Sequence, residues 1–453
     1  MSRKRSEKAG KRQTARQKTE HLRTINGKFS ANAGGFGFVT PDDHSCKDVF
    51  IPPKHVNGAL HGDKVKVEII NENRDERGPV GRIMEIEERE RRFVTGSIIS
   101  ERMLKPLDSH FIADIKLSGS LKGAKRGDWV KVRLLDNGSK HTEALRGSVE
   151  EVYGKAGEID SDLHAVASEF QLCPPYTEAD NEAAEKIKPL EIERRDLTKL
   201  FCVTIDPHDA RDFDDAVSLE REGEFLKIGV HIADVSRYVP FASSLDLDAR
   251  RRSTSVYLVD RVLPMLPEHL SNDLCSLRPA SARCAMSVEA VVRRDGSVVS
   301  YEVFPSVIES KARLSYDQVQ ALLDSADDER ALEAFSRCEP PVDSVSLSSG
   351  VIKELRRRVI ALDGLAKSFA ARRRADGCMD FDRVEAKATL DEDGRCIGVT
   401  YRRRTDATAL IEEAMILANH LVAQWLVGKG SPCVYRVHDE PDSDALRDLY
   451  EVL

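Results

Sequence analysis

Five aspartates fall within ten residues of the sequence, a density that indicates metal chemistry: Asp206, Asp209, Asp212, Asp214 and Asp215. Carboxylates packed this closely repel one another, so partial burial requires protons or cations beside them. Their hard oxygen ligands suit Mg²⁺ or Mn²⁺. Two such ions about 4 Å apart can activate a water and stabilise the leaving oxygen of a phosphodiester. The cluster therefore suits hydrolysis of a nucleic acid.

The residues around the aspartates predict a strand, a loop and a second strand. Apolar alternation over 201–205 predicts a strand that ends at Asp206, and Pro207 begins a loop because it cannot continue a central ladder. A second strand is predicted for 216–219. A calcium loop of the EF-hand type would need a glycine that is absent. A solvated acidic loop is the ordinary alternative, and the apolar flanks argue against it.

Short strand-like runs before this region predict two small β-barrels, over residues 25–90 and 91–155. Turn residues separate the runs, and the similar segments GDKVKVEII and GDWVKVRLL begin at Gly62 and Gly127. A mixed α/β (α+β) domain is predicted for 156–453. The order is therefore two all-β barrels followed by one larger domain.

The first barrel contains aromatic residues that suit base stacking. Phe36 and Phe38 share one face of a predicted strand, and Phe50 stands on a neighbouring strand. Exposed rings of this kind stack on unpaired bases with little sequence preference. Three nearby lysines would meet phosphates: Lys28, Lys54 and Lys64. The alternative is that the phenylalanines fill the barrel core, and the glycines beside them favour stacking instead.

Charge and composition limit the class of protein. Net charge is -8, yet residues 1–24 hold nine basic and two acidic groups. Such an arm indicates a polyanionic partner, and a solubilising tail is an equal alternative. Nine widely spaced cysteines without a CxxC pair argue against zinc and disulfides. With no apolar run of 18 residues and no secretory signal, we expect a cytoplasmic protein without a membrane span.

Four blocks of sequence resemble the ribonuclease II/ribonuclease R family, in the family's order. They are TIDPHDARDFDDAV (204–217), HIADVSRYV (231–239), TSVYLVDRVLPMLPEHLSNDLCSLRP (254–279) and LIEEAMILAN (410–419). GGFGFV with DVFIP also resembles the ribonucleoprotein motifs of cold-shock domains. The resemblance implies two cold-shock (OB-fold) barrels and a catalytic domain that degrades RNA processively, 3′→5′, to nucleoside 5′-monophosphates with two Mg²⁺ ions. It implies single-stranded RNA as the partner.

The resemblance also implies roles for the aspartates. Asp206, Asp212, Asp214 and Asp215 take the family's four acidic positions as metal ligands, and Asp214 is the one tied to the chemical step. Asp209 lies outside that pattern.

Three further residues are implied to contact RNA. Tyr257 resembles an aromatic that stacks near the 3′-terminal nucleotides, and Phe381 resembles its partner in a clamp. Glu412 resembles a glutamate near the terminal nucleotide. Tyr257 has the alternative of a core position, and Glu412 lies beside the apolar stripe of a predicted helix.

The sequence also departs from the family. The family's catalytic domain continues further, with an arginine-bearing block and then an OB-type RNA-binding domain, and we expect this chain to be incomplete at its C-terminus. The cation that would stabilise the transition state is then missing. An RNA-binding module without turnover is the second functional hypothesis.

Overall fold

The computed structural model describes most of the chain in two compact units, and the boundary in the sequence falls between Pro174 and Pro175. The described residues are 23–32, 34–43, 46–71, 78–111, 114–135, 145–187, 190–379, 384–392, 394–438, 440–441 and 443–452. Nearly all of the basic arm, residues 1–22, lies outside them, and so does Phe381. The roles predicted for these parts therefore stay predictions.

The first unit begins with a closed five-stranded barrel in the order β1-β2-β3-β5-β4. Its strands are β1 (Thr24–Ala31), β2 (Gly37–Pro41), β3 (Val49–Ile51), β4 (Lys64–Asn71) and β5 (Val80–Glu88). Alternate residues fill the interior, where Phe29 and Val39 are buried. A Cβ at Gly37 would lie 2.3 Å from the Phe29 ring, so only glycine permits this packing.

A second closed barrel follows in the order β10-β8-β7-β6-β9. Its strands are β6 (Phe93–Ser100), β7 (Met103–Pro106), β8 (Ile115–Ser118), β9 (Asp128–Leu135) and β10 (Arg146–Lys155). Helix α1 (Ile159–Glu169) packs on this barrel, where Trp129 Nε1 donates to Asp162 Oδ1 at 2.6 Å. The helix contacts strands β6, β9 and β10 of this barrel and belongs to the first compact unit.

The second unit is built on a seven-stranded mixed sheet in the order β11-β18-β17-β14-β13-β12-β19. Its strands are β11 (Arg195–Leu197), β12 (Cys202–Asp206), β13 (Asp215–Glu222), β14 (Phe225–Ala233), β17 (Ala282–Val292), β18 (Val298–Glu309) and β19 (Ala312–Ser315). Two hairpins accompany the sheet: β15 (Val256–Tyr257) with β16 (Val262–Leu263), and β20 (Val384–Leu390) with β21 (Cys396–Arg403).

Seven α-helices lie in the described part of the second unit. They are α2 (Glu178–Glu185), α3 (Ser244–Arg252), α4 (Tyr316–Asp324), α5 (Asp328–Arg337), α6 (Ser349–Ala375), α7 (Asp406–Gly428) and α8 (Ser443–Val452). Residues of α4, α6 and α7 pack with Ile205 and Val217 in one cluster. Cys202 and Ala216 belong to a second cluster, so β12 and β13 are buried on both faces. The predicted fold class, two barrels and then a mixed domain, is confirmed.

Helix α7 is, within the described part of the chain, the one helix long and apolar enough to cross a bilayer by length and composition. Its residues Leu410, Ala414 and Leu421 are buried in the main core. The same length and composition are found in core helices of globular domains.

Candidate active site

Two adjacent strand ends and the loop between them hold the aspartates. Asp206 is the last residue of β12, and Asp215 is the first residue of the antiparallel strand β13. Because these strands are buried on both faces, their ends deliver both carboxylates into a partly enclosed position, and both side chains are half-buried. Asp212 and Asp214 lie on the loop between the strands, as the sequence predicts.

Burial and mutual repulsion raise the pKa of three of these carboxyls. Burial, and then the charges of Asp215, Asp214 and Asp212, raise the pKa of Asp206 to about 8, although Arg313 opposes the shift. Burial and Asp214 raise the pKa of Asp215 to about 6. The pKa of Asp214 also rises to about 6, through burial and Asp212, although this side chain reaches solvent as well. Near neutral pH the site therefore carries negative charges that are unfavourable because they are partly buried and repel one another.

The unpaired oxygens of the site fit a divalent cation. Oδ2 of Asp206 and Oδ2 of Asp215 are buried and have no hydrogen-bond partner among the described residues. Leaving such an oxygen unpaired is unfavourable, and a cation would satisfy it and offset the repulsion. In the same described ranges, however, no three His, Cys, Asp or Glu side chains are gathered closely enough to hold a metal as they stand. Carboxylate oxygens are donors that suit a metal ion, but these side chains are not close enough together to form a complete ligand set.

A buried arginine anchors the acidic loop at its start. The Arg313 side chain is almost fully buried, and its guanidinium donates to the Pro207 carbonyl and, at 2.9 Å, to the Leu314 carbonyl. The guanidinium carbon lies 5.0 Å from the centroid of the Phe213 ring. The backbone N–H of Phe213 donates to Ser276 Oγ at 3.0 Å. These contacts fix both ends of the loop that carries Asp212.

Tyr257 lies beside the acidic loop and is not a core residue. Its hydroxyl donates to Asp212 Oδ2 at 3.3 Å, while 69% of the residue is exposed. Burial of part of the side chain and the negative charge of Asp212 raise the pKa of Tyr257. The hydroxyl is thus directed at the carboxylates, and the ring presents an open face.

Glu412 is an exposed residue of α7 and is not a buried carboxylate. Its Oε2 accepts from Arg404 Nε at 2.8 Å. The neighbouring Glu413 is the buried one, and Arg373 pairs with it, with Nε at 3.2 Å from Oε2. The ion pair with Arg404 and the contact with solvent both stabilise the charge of Glu412.

In the first barrel, the three predicted aromatic residues form one outer cluster. Ring centroids of Phe36 and Phe38 are 6.0 Å apart, those of Phe36 and Phe50 are 5.7 Å apart, and those of Phe38 and Phe50 are 5.5 Å apart. None of the three belongs to the buried core of the barrel, and Phe38 is 39% exposed. Lys28 pairs with Glu90, and Lys64 pairs with Asp42, at 3.1 and 3.5 Å.

Comparison with known protein families identifies the larger unit. Residues 194–453, which make up more than half of the chain, match the RNB domain. The chain belongs to the RNB family. Residues 27–86 match the ribonuclease B OB domain, and residues 104–176 match the cold shock domain. Nucleases of the RNB family depend on a divalent metal, typically Mg²⁺.

Curated relatives of this RNB protein carry the name ribonuclease R. Ribonuclease R of Thermotoga maritima is 36% identical over 436 residues, which cover 93% of this chain and 58% of the relative. Ribonuclease R 2 of Lactococcus lactis is 33% identical over 446 residues, which cover 94% of this chain and 64% of the relative. The chain therefore spans about three fifths of the length of these relatives.

Solved structures of ribonuclease R share the fold of this RNB protein. Mycoplasma genitalium ribonuclease R in complex with ribose-methylated single-stranded RNA has a TM-score of 0.78 and 24% identity, and the match covers 94% of this chain and 65% of that one. The same enzyme in complex with double-stranded RNA has a TM-score of 0.70 and 26% identity, with 87% and 65% covered. The two likenesses support the two-barrel and RNB architecture.

Sequence reasoning located the aspartates of this RNB protein and missed the arginine that anchors them. Arg313 occupies β19, whose four residues are all buried, and it is paired in register with Thr204 of β12. A lone arginine in a short apolar run, ARLS, is the sequence signal that was available. The Pro207 carbonyl to which it donates lies 106 residues away in the sequence, so local spacing could not identify that partner.

Proposed function

We propose that this chain hydrolyses single-stranded RNA from its 3′ end, processively, and releases nucleoside 5′-monophosphates. The observation that carries the proposal is the pair of buried carboxylate oxygens on Asp206 and Asp215 that have no hydrogen-bond partner among the described residues. Burial, and then repulsion from the neighbouring aspartates, raise the pKa values of both carboxyls. RNA is the expected substrate because the chain belongs to the RNB family and its relatives are named ribonuclease R.

We assign the metal site to four carboxylates: Asp206, Asp212, Asp214 and Asp215. They would hold two Mg²⁺ ions, or Mn²⁺, because hard oxygen ligands suit both. When bound, such ions supply an activated water and stabilise the leaving oxygen of a phosphodiester. Arg313 holds the start of the loop, so that the carboxylates stay in place when the repulsion between them is strongest.

The other residues of the proposal position the RNA. The open ring of Tyr257 offers a stacking face beside Asp212, which suits a base near the 3′ end. We assign Phe381 as its partner, and Glu412 as a contact of the terminal nucleotide. Stacking that aligns the terminal nucleotide lowers the barrier by restricting its orientation.

The aromatic cluster of the first barrel would bind the strand farther from its 3′ end. Phe36, Phe38 and Phe50 present ring faces that accept any base, and Lys54 is exposed nearby. Recognition through stacking and backbone contacts gives little sequence preference. We place this activity in the cytoplasm, because all nine cysteines are free thiols, as expected in a reducing compartment.

A direct test follows an RNA labelled at its 5′ end in the presence of Mg²⁺. The wild-type chain should shorten it to a small end product, and Asp214→Asn should lower the rate by at least about 100-fold while binding persists, because the acidic set loses a charge at the reacting position. Asp209→Asn is the matched control. Asp209 pairs with Lys387 at 2.9 Å across an exposed surface, so its loss should change the rate little. Unchanged cleavage by Asp214→Asn would refute the site assignment.

A second candidate function is an RNA-binding module without turnover. It is favoured by carboxylates that are not gathered into a full ligand set among the described residues. Wild-type protein that binds single-stranded RNA in Mg²⁺ and never shortens it would establish this alternative.

A further inference from the structure

An open groove of about 510 Å³ lies where the β20–β21 hairpin meets the start of α7. Three consecutive arginines line it, the last two residues of β21 and the residue after them, together with residues of β20 and α7. The polar side chains along it are Glu385, Arg402, Arg403, Arg404, Thr408 and Glu412. The groove lies outside the acidic cluster, and the sequence patterns assign no function to its first two arginines.

Two of the arginines keep their positive charge available. Arg404 is engaged by Glu412, with Nε and Oε2 2.8 Å apart. Among the described residues, neither Arg402 nor Arg403 forms an ion pair, although Glu385 is opposite Arg402 in the strand register. A planar guanidinium with free N–H groups binds an oxyanion through two parallel hydrogen bonds. The groove therefore favours an anionic ligand with accessible oxygens.

The start of α7 contributes few free donors to this groove. Thr405 Oγ1 accepts from the backbone N–H of Thr408, and the N–H of Ala407 donates to Gln320 Oε1 at 3.1 Å. A capped helix start of this kind has little capacity left for an anion. The arginine side chains, rather than the helix, would hold the ligand.

The hairpin connects the groove to the acidic site. The guanidinium carbon of Arg402 lies 5.1 Å from the centroid of the Tyr316 ring. Tyr316 directly follows Ser315, the residue that is paired with Asp206 between β19 and β12. On the other strand of the hairpin, Lys387 pairs with Asp209 of the acidic loop. An RNA strand whose 3′ end reaches the aspartates would therefore pass close to Arg402.

We propose that Arg402 and Arg403 bind phosphate groups of the single-stranded RNA backbone, next to the terminal phosphodiester at the acidic cluster. The inference rests on the proposed function for the identity of the ligand. The groove would hold the strand in register while the carboxylate site receives its end. It also supplies positive charge from within this chain beside a site with an excess of negative charge.

The test measures binding of a 5′-fluorescent oligoribonucleotide in EDTA, where no cleavage interferes, over a series of salt concentrations. The slope of log K against log salt is negative, and each lost phosphate contact reduces its magnitude by about 0.7 for a single strand. We expect Arg402→Gln with Arg403→Gln to reduce the magnitude by about 1.4 and to weaken binding about tenfold at low salt. Arg402→Lys with Arg403→Lys keeps the charges and should retain most of the slope.

The matched control is Arg395→Gln, which removes the same charge beside the turn of the same hairpin, at the opposite end from the groove. It should leave the slope unchanged. A double glutamine variant with the wild-type slope and affinity would overturn the proposal, whatever the outcome for cleavage. Wild-type RNA binding without cleavage would instead overturn the proposed function alone. A nucleoside 5′-monophosphate could also displace the RNA from the wild-type protein but not from the double glutamine variant. That result would identify the ligand of the groove as a free nucleotide and would overturn the assignment to the RNA backbone.

Discussion

Burial and charge oppose each other at the acidic site, residue by residue. Asp206 and Asp215 end strands that are buried on both faces, so desolvation favours their protonated forms, and each neighbouring carboxylate adds to that effect. Arg313 opposes it from inside the fold. The aspartates were predictable because their density is visible in the sequence. Arg313 was not, because its contacts depend on the pairing of β12 with β19.

Replacing Arg313 with methionine should weaken metal binding and should also destabilise the fold. Arg313→Met leaves the Pro207 carbonyl without its donor, which costs about 1–3 kcal/mol of stability, and it releases the start of the loop. Affinity for Mn²⁺, measured by calorimetry, should fall about tenfold. Arg358→Met is the matched control, since Arg358 donates to the Leu219 carbonyl and stacks on Phe201, away from the aspartates. Equal loss of Mn²⁺ affinity in both variants would contradict a positioning role.

His231 should make the larger unit sensitive to acid. Its ring is fully buried between Ser218 Oγ at 3.0 Å and Ser287 Oγ at 2.7 Å, and burial lowers its pKa to about 4, from the ordinary 6.5. Because the folded pKa lies below the unfolded one, its contribution to stability is complete above pH 6.5 and is lost as the pH falls towards 4. The loss amounts to about 3 kcal/mol.

The variant that isolates this effect is His231→Gln, which keeps polar atoms beside both serines and cannot be protonated in this range. The free energy of unfolding, measured with denaturant from pH 7 to pH 4, should fall less steeply in the variant than in the wild type. Parallel curves would show that His231 does not cause the acid sensitivity.

At the scale of elements, the alternation of apolar residues and the repeated segment predicted the strands of the two barrels. The closure of each barrel depends on pairing between strands that are distant in the sequence. The pattern of β4 and β9 is visible in the sequence as apolar residues at every second position. Closure is not visible there, because it depends on parallel pairs such as β3 with β5 and β8 with β10. The same limit applies to α1, whose docking on the second barrel follows from contacts that its own sequence does not specify.

The aromatic cluster of the first barrel should contribute to RNA affinity as a stacking surface. Phe38→Ala should weaken binding of single-stranded RNA by about 1–3 kcal/mol, with little change in salt dependence, because stacking on a base releases no counterions. Phe93→Ala is the control: Phe93 is a similarly exposed ring, 43% against 39%, on the second barrel. Fluorescence anisotropy gives both affinities. Equal effects of the two substitutions would contradict a specific platform on the first barrel.

At the scale of the whole molecule, two separate compact units divide the proposed work between binding and chemistry. The barrels of the first unit are closed and expose rings and lysines, whereas the second unit buries carboxylates at the ends of central strands. The order of units was predictable from composition and turn signals. The seven-stranded order of the sheet was not, because neighbours such as β12 and β19 are separated by about 100 residues.

Anomalous scattering from a crystal soaked in Mn²⁺ tests the proposed two-metal site most directly. We expect two manganese peaks among the carboxylates of Asp206, Asp212, Asp214 and Asp215, and weaker peaks in Asp206→Asn. Absence of any peak at these side chains, with their carboxylates directed into bulk solvent, would contradict it.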